Sequence, residues 1–387
     1  MTHFGDHQSA IYADGMFAGR VPEITTDLSA LESHAARVLA PEAMGYVVPS
    51  AGSGSTARAN VAAFERWRIV PRMLRDHARR DLSTTVLDTP LAAPVLFGPV
   101  GVQTLAHPDG ELATARASTE LGLAYVHSTQ ASHSIEEAAD AVGPGARWFQ
   151  LYWPDDPALL ASFLSRARVA GYTTLVLTVD TTLLGWRPAD LDRGYLPFLA
   201  AEGIANYTSD PVFNARLDKP AAEDPAAAGV AFASVFPNPG LSWDRLPELR
   251  RLWDGPIVLK GIQHVADALL AVEHGMDGIV VSNHGGRQVD GALASLDALP
   301  PIAEAVGERL TVLFDSGVRT GPDVFKALAL GARAVLLGRP YLYGLALGGQ
   351  AGVEHVLRCL LAELDLTLAG AGYASHRDLS PDSLVRG

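Results

Sequence analysis

The chain has 387 residues, 48% of them hydrophobic and 19% charged, a balance that excludes a largely disordered or fibrous protein and allows a sizeable core. With 30 Lys+Arg against 43 Asp+Glu the net charge is −13, so a phosphate-backbone binder would work against its own field and no nucleic-acid partner is expected. The single cysteine, Cys359, can form neither an internal disulfide nor a paired-cysteine metal site, which fits a cytoplasmic protein; no signal-peptide core and no run of ~18 apolar residues is present, so no membrane partner is expected.

Residues 1–90 carry helical patterning with a Pro/Gly/Ser break at 48–55 and are expected to pack over one end of the domain formed by the remaining residues. From there, short aliphatic or β-branched runs bounded by Gly, Pro or Asp alternate with amphipathic stretches. The runs are 94–97, 124–128, 147–151, 174–179, 257–260, 278–282, 311–315 and 334–337. Eight strands that are apolar almost throughout, each followed by a helical stretch, predict an α/β fold, a TIM (β/α)8 barrel, over residues 91–387. An open doubly wound sheet is the alternative, but no G-x-G-x-x-G follows any of the strands. Between the fourth and fifth strands lie about 80 residues where a βαβ unit needs roughly 30. Residues 188–242 therefore read as a long insertion after strand four, of the kind that forms an active-site lid or stays partly disordered.

Reactive groups of such a barrel stand at the C-terminal ends of its strands. Strand six ends Ser282-Asn283-His284-Gly285-Gly286-Arg287-Gln288, placing a potential base and a fixed cation on one tight turn with little bulk to obstruct a ligand. Strand five ends at Lys260, a cation costly to bury there unless it faces an anion, an electron-rich ring or a structural ion pair. Strand four is followed by Thr178-Val179-Asp180-Thr181 and then Gly185-Trp186-Arg187, where an arginine can clamp a carboxylate or simply form a surface ion pair.

Strands seven and eight end in Asp315-Ser316-Gly317-Val318-Arg319 and Gly338-Arg339. Glycines with adjacent arginines on these two consecutive loops predict a bound phosphate. Ser128, Gln150 and Tyr152 end strands two and three, and Gly98-Pro99-Val100-Gly101 ends strand one, where the backbone can approach a flat ligand closely. Each of these alone is also compatible with ordinary barrel packing. The remaining histidines, among them His107, His127, His133, His264 and His355, lack a ligand spacing such as H-E-x-x-H, and no metal is expected.

These motifs resemble those of the FMN-dependent L-2-hydroxy acid oxidases and dehydrogenases, over essentially the whole chain. The segment 282–288 is the most specific of them. Residues 70–74, 184–188, 207–213 and 345–349 look most like the lactate 2-monooxygenase members. The resemblance implies FMN as cofactor, a small 2-hydroxy acid and O2 as reactants, and a homo-oligomer, tetrameric or octameric. It also implies roles for residues: His284 as the base, Arg187 and Arg287 on the substrate carboxylate, Tyr46 and Tyr152 on the substrate oxygens. Lys260, Ser128, Gln150, Thr178, Pro99, Val100 and Gly101 would surround the isoalloxazine, while Ser282, Asp315, Gly317, Arg319, Gly338 and Arg339 would take the ribityl and phosphate.

Gly101 stands where oxidases of the family usually carry Ala, and one methyl fewer beside the flavin implies room for oxygen and retained product. That favours the lactate 2-monooxygenase outcome, L-lactate and O2 to acetate, CO2 and water, over an oxidase or dehydrogenase that releases the keto acid. Two positions depart from the family. Gln130 replaces a Trp or Leu near the substrate side chain and His127 replaces a small residue, which points to a somewhat larger or more polar 2-hydroxy acid. A catalytically silent flavin-binding barrel and a flavin-free phosphate-binding isomerase are the readings from other classes.

Overall fold

The computed structural model describes residues 3–387. Among these, eight parallel strands close a barrel: β1 (Val95–Phe97), β2 (Ala124–Ser128), β3 (Arg147–Leu151), β4 (Thr174–Thr178), β5 (Ile257–Ile262), β6 (Gly278–Val281), β7 (Thr311–Phe314) and β8 (Ala334–Leu337). They follow one another in sequence order, and β8 pairs with β1 through Val335–Val95, Leu336–Leu96 and Leu337–Phe97. Each lies within two residues of its predicted run. The reason the runs are apolar throughout is visible in the alternation along each strand. Leu96, Val126, Trp148, Val176, Val258, Val280, Leu313 and Leu336 fill the barrel interior, while Phe97, Tyr125, Phe149, Leu177, Leu259, Ile279, Phe314 and Leu337 pack under the surrounding helices.

The longer helices are α1 (Asp6–Ala18), α2 (Ser55–Glu65), α3 (Gly110–Glu120), α4 (Ile135–Val142), α5 (Pro157–Val169), α6 (Pro225–Val235), α7 (Val265–Glu273), α8 (Ser295–Val306), α9 (Gly321–Ala329) and α10 (Arg339–Ala371), the last interrupted at Gly348–Gly349. Local chemistry starts them where they start. Capping boxes open α4 (Ser134 with Glu137) and α9 (Thr320 with Asp323), and the Asp-Pro pairs at 156–157 and 224–225 open α5 and α6, Asp156 accepting from the Ala158 and Leu159 N–H groups and Asp224 from the Ala227 N–H. None of the helices is long and apolar enough to cross a membrane, among the described residues.

The N-terminal segment reaches both ends of the barrel rather than the one expected. A hairpin of Thr84–Val86 and Thr89–Leu91 stands below it: Val86 and Leu91 join the interior cluster, and Trp148 Nε1 donates to Thr89 Oγ1 at 3.0 Å. At the opposite, C-terminal end, the Ala51 N–H donates to the Gly286 carbonyl at 2.9 Å, bringing the 48–55 break and the start of α2 against the loop after β6. The α1 helix is different, for it buries none of its residues.

Residues 188–242 fold into short helices, Pro188–Leu191, Pro197–Ala200, Ala205–Thr208, Pro211–Asn214 and α6, so the alternative of partial disorder does not describe them. They share an aromatic cluster in which Phe198 and Tyr207 pack on Phe232 and Phe213 packs on Tyr207, with Tyr207 and Phe232 ring centroids 5.0 Å apart. Asn206 Nδ2 donates to the Ser128 and Thr129 carbonyls at 3.0 and 2.9 Å, tying this segment to the end of β2.

Candidate active site

A cavity opens at the C-terminal ends of the strands, where a barrel of this kind carries its small-molecule site. Its wall contains Tyr46, Pro99, Val100, Gly101, Ser128, Tyr152, Arg187, Lys260, His284, Arg287, Asp315, Gly317, Arg319, Gly338 and Arg339. Three of the expected residues sit just beneath that wall. Gln150 is buried, accepting from Ser128 Oγ and the Thr129 N–H and donating to Thr178 Oγ1 at 2.9 Å. Ser282 Oγ lies 3.1 Å from Lys260 Nζ and accepts from the His284 N–H at 3.1 Å.

His284 is held by the strand-six loop in the left-handed region, φ 58°, a strained conformation for a residue with a side chain. Its Nδ1 lies 2.8 Å from Asp180 Oδ1 and 3.1 Å from Thr181 Oγ1, and its Nε2 lies 3.4 Å from the Tyr152 hydroxyl. A carboxylate only accepts, so Nδ1 carries the proton and Nε2 presents its lone pair to the cavity. Burial pulls the His284 pKa below its ordinary 6.5; Asp180 pushes it up, while Lys260 and Arg187 push it down. The ring is therefore neutral near pH 7. Burial raises the Asp180 carboxyl, but His284 and Lys260 outweigh it and hold the pKa below 3.8.

Asp180 is visible in the sequence as part of Thr178-Val179-Asp180-Thr181 but carries no role there. The signal that could have found it is its place two residues beyond the end of β4. The sequence also hides the space it needs: Gly261 has φ +114°, and a Cβ there would stand 2.7 Å from the Asp180 Cβ. Any side chain at position 261 would displace the carboxylate that orients His284.

The electrostatics of the wall are unbalanced. Lys260 Nζ pairs with Asp315 Oδ2 at 3.1 Å, and although burial lowers its pKa, Asp315 and Asp180 raise it further. None of the four arginines has a carboxylate partner among the described residues. Arg187 donates to the Arg287 carbonyl and Gln288 Oε1, Arg287 to the Tyr46 and Pro49 carbonyls, Arg319 to the Val318 carbonyl, and Arg339 to carbonyls at 47–49 and 285. Arg287 also lies over the Tyr46 ring, 5.2 Å from its centroid. Burial, reinforced by Arg187, pulls the Arg287 guanidinium down to about 9, and burial also lowers Arg339, with Arg319 and Arg187 adding to the effect. Desolvated cations without counter-charges are a standing demand for anions.

That demand has two separate places. Arg319 and Arg339 flank the loops after β7 and β8 at the N-terminus of α10, where backbone N–H groups and helix dipole add to the attraction for a phosphate. Arg187 and Arg287 flank His284 instead. The donor set thus fits FMN: cations for the phosphate, Asp315 for ribityl hydroxyls, and a wall of backbone at Pro99, Val100 and Gly101 for a flat ring.

Comparison with known proteins agrees with this reading of the donor set. Residues 35–386 match the FMN-dependent dehydrogenase family. The chain belongs to that family. It is 48% identical over its whole length to the FMN-dependent alpha-hydroxy acid dehydrogenase qulF of Penicillium citrinum, covering 96% of that protein, and 43% identical to an L-lactate oxidase of Lysinibacillus sphaericus, over 92% of each chain. Among solved structures, mandelate oxidase with (S)-4-hydroxymandelic acid superposes with a TM-score of 0.83 at 37% identity, over 94% of this chain and 99% of that one. FMN is accordingly the cofactor of this oxidoreductase.

Two expectations about specificity need correction. His127 does not face the cavity: it is fully buried on the helix side of β2, its ring 6.0 and 6.4 Å from those of Tyr172 and Phe149. Adjacent strand residues point to opposite faces, and Ser128 takes the cavity side. Gly101 does not open space either, because a Cβ there would collide with the Gln130 carbonyl oxygen. The missing methyl makes way for backbone, not for oxygen. Gln130 does line the cavity, and its buried Nε2 has no hydrogen-bond partner.

Proposed function

We propose that the protein oxidises a small L-2-hydroxy acid, with Arg187 and Arg287 binding the carboxylate and His284 taking the proton. The observation that carries this reading is the conjunction of two arginines without carboxylate partners and an imidazole whose Nε2 faces the same cavity, its other nitrogen held by Asp180. When bound, FMN supplies the two-electron acceptor for the C2 centre. The protein's residues do the rest. The arginine pair fixes the substrate by its anionic end, Tyr152 and Tyr46 meet its oxygens, and Nε2 removes one proton as C2 becomes a carbonyl. With the cofactor bound, the Lys260 charge would stabilise the negative charge that reduction adds. The short helices of 188–242 serve as the lid, bracing both tyrosines from behind: Phe198 lies 6.1 Å from the Tyr46 ring and Phe236 5.6 Å from the Tyr152 ring.

In its finer form the proposal is the lactate 2-monooxygenase outcome, in which the keto acid stays and ends as acetate and CO2. The motif resemblance at 184–188 and 207–213 supports it. A second reading, release of the 2-keto acid with H2O2, is favoured by the Gly101 geometry, which adds no volume for a retained product. Anaerobic addition of L-lactate, then of a panel of 2-hydroxy acids, should bleach the flavin absorbance. Bleaching by none of them would leave a silent flavin-binding barrel. Under air, acetate with little peroxide supports the monooxygenase, and equimolar pyruvate and peroxide support the oxidase. We read the chain as a cytoplasmic homo-oligomer, and light scattering of the purified protein tests the oligomer directly.

A further inference from the structure

The long α10 helix carries His355 and Cys359 one turn apart, on one face, and His7 of α1 arrives on the same spot. His355 Nε2 lies 3.6 Å from Cys359 Sγ and His7 Nε2 lies 3.9 Å from it, and the three ligand atoms all fall within 4.8 Å of one another. A tetrahedral zinc ion with Zn–S of about 2.3 Å and Zn–N of about 2.0–2.1 Å requires S···N separations of about 3.6 Å. The preformed spacing already lies close to that. We propose that His7, His355 and Cys359 form a zinc site, with water as fourth ligand, that clips α1 to α10.

The surroundings support a cation here. A solvent-open pocket lined by His7 and Arg358 among others reaches the His7 side of the site. The Arg358 charge next to it is taken up by Glu354, 2.8 Å away. Two imidazoles and a thiolate are a borderline-soft set that suits zinc rather than magnesium or calcium. Binding would release one proton, from the Cys359 thiol, as the S–H bond gives way to Zn–S. Left alone, that thiol is held protonated, pushed up to about 11 by burial and then by Glu363.

The need for a clip is also visible. Helix α1 buries no side chain, so apolar packing does little to hold it, and a polar anchor at its start, the Gly5 N–H donating to Asp365 Oδ2 at 2.7 Å, also ties it to α10. Spacing rules applied to the sequence miss the site because His7 lies 352 residues from Cys359.

Cys359 is the sole cysteine, so thiol chemistry reads this site and no other. The test uses the flavin-loaded protein stripped with a chelator and then given zinc alone. One zinc should bind per chain, and the rate of Cys359 modification by a disulfide reagent should fall at least tenfold. His7→Ala should weaken zinc binding at least tenfold and remove most of the protection, and Cys359→Ser should abolish the one-per-chain stoichiometry. Amide exchange across residues 6–18 should slow on adding zinc to the parent protein and not to His7→Ala. Zinc uptake that is unchanged in both variants, or a thiol whose reactivity ignores zinc, would overturn the proposal and leave an ordinary Cys–His contact.

Discussion

At the scale of single residues, the reaction rests on which nitrogen of His284 is left to act. Replacing His284 with Gln removes the base but no counter-charge of the cofactor, so the protein should stay yellow while anaerobic flavin reduction slows by roughly 10²–10⁴-fold. Stopped-flow absorbance reads this directly, and reduction within tenfold of the parent would remove His284 from its role. The pH dependence has a definite sign. The neutral ring is the active form and its pKa lies below 6.5, so kcat/KM should be level between about pH 6.5 and 8, below the range where Arg287 loses its charge, and fall on the acid side. Asp180 raises that pKa, and Asp180→Asn should therefore move the acid limb to lower pH while slowing reduction. An acid limb that moves upward would contradict the assignment.

Gln130 makes a different kind of statement at this scale. Its side-chain Nε2 is buried at the cavity wall without a protein partner, a donor that costs about 1–3 kcal/mol while unsatisfied. A substrate with an acceptor beyond C2 would satisfy it. Gln130→Leu should raise KM for such an acid by roughly tenfold or more and leave L-lactate little changed, which a two-substrate comparison measures. Equal effects on both acids would deny Gln130 a part in selection.

Secondary-structure elements show where sequence reasoning succeeds and where it stops. The barrel strands are legible because burial on both faces writes an unbroken apolar run, and the site loops because reactive barrel residues follow strand ends. His284, Arg187, Arg287 and Lys260 are found that way. Asp180 is not, since a carboxylate beyond a strand end looks the same whether it meets water or an imidazole. Four of the five helices of 188–242 are obscured by their shortness, four residues being too few to show a period, although Asp-Pro at 210–211 and 224–225 marks two of the starts. His127 misleads because a one-residue step along a strand turns a side chain from cavity to core. Among the polar ties of the insertion, the one made by Asn206 is one that the sequence gives no hint of. Asn206→Ala would leave the Ser128 and Thr129 carbonyls unpaired in a buried setting, at about 1–3 kcal/mol each. A lower urea midpoint with the flavin retained is the expected result, and an unchanged midpoint would show that the aromatic cluster and the other ties, such as Arg166 with Asp210, hold the segment without Asn206.

For the molecule as a whole, two buried histidines away from the cavity govern its tolerance of acid. Burial holds His127 and His376 down to about 4, and the ring nitrogens of His376 have no partners. Their folded values lie below the ordinary 6.5, so the unfolded chain binds more protons in between. Their contribution to stability is complete above pH 6.5 and is lost as pH falls toward 4, about 2 kcal/mol each by pH 5. Urea unfolding at pH 7 and pH 5 should show this drop, and His127→Phe should remove about half of it. A stability flat between these values would mean that neither ring is neutral and buried as described.

The pairing of β1 with β8 sets a clock on synthesis. Val95 meets Val335 only after about 240 further residues have been made, which at ~5–20 residues per second is on the order of 10–50 seconds. Throughout that interval the three-residue edge of β1 lies open as a template for other strands. The cofactor cradle is open for just as long, because Pro99 and Arg339 stand on opposite sides of the same seam. A nascent chain therefore has no finished place for flavin until its last strand arrives.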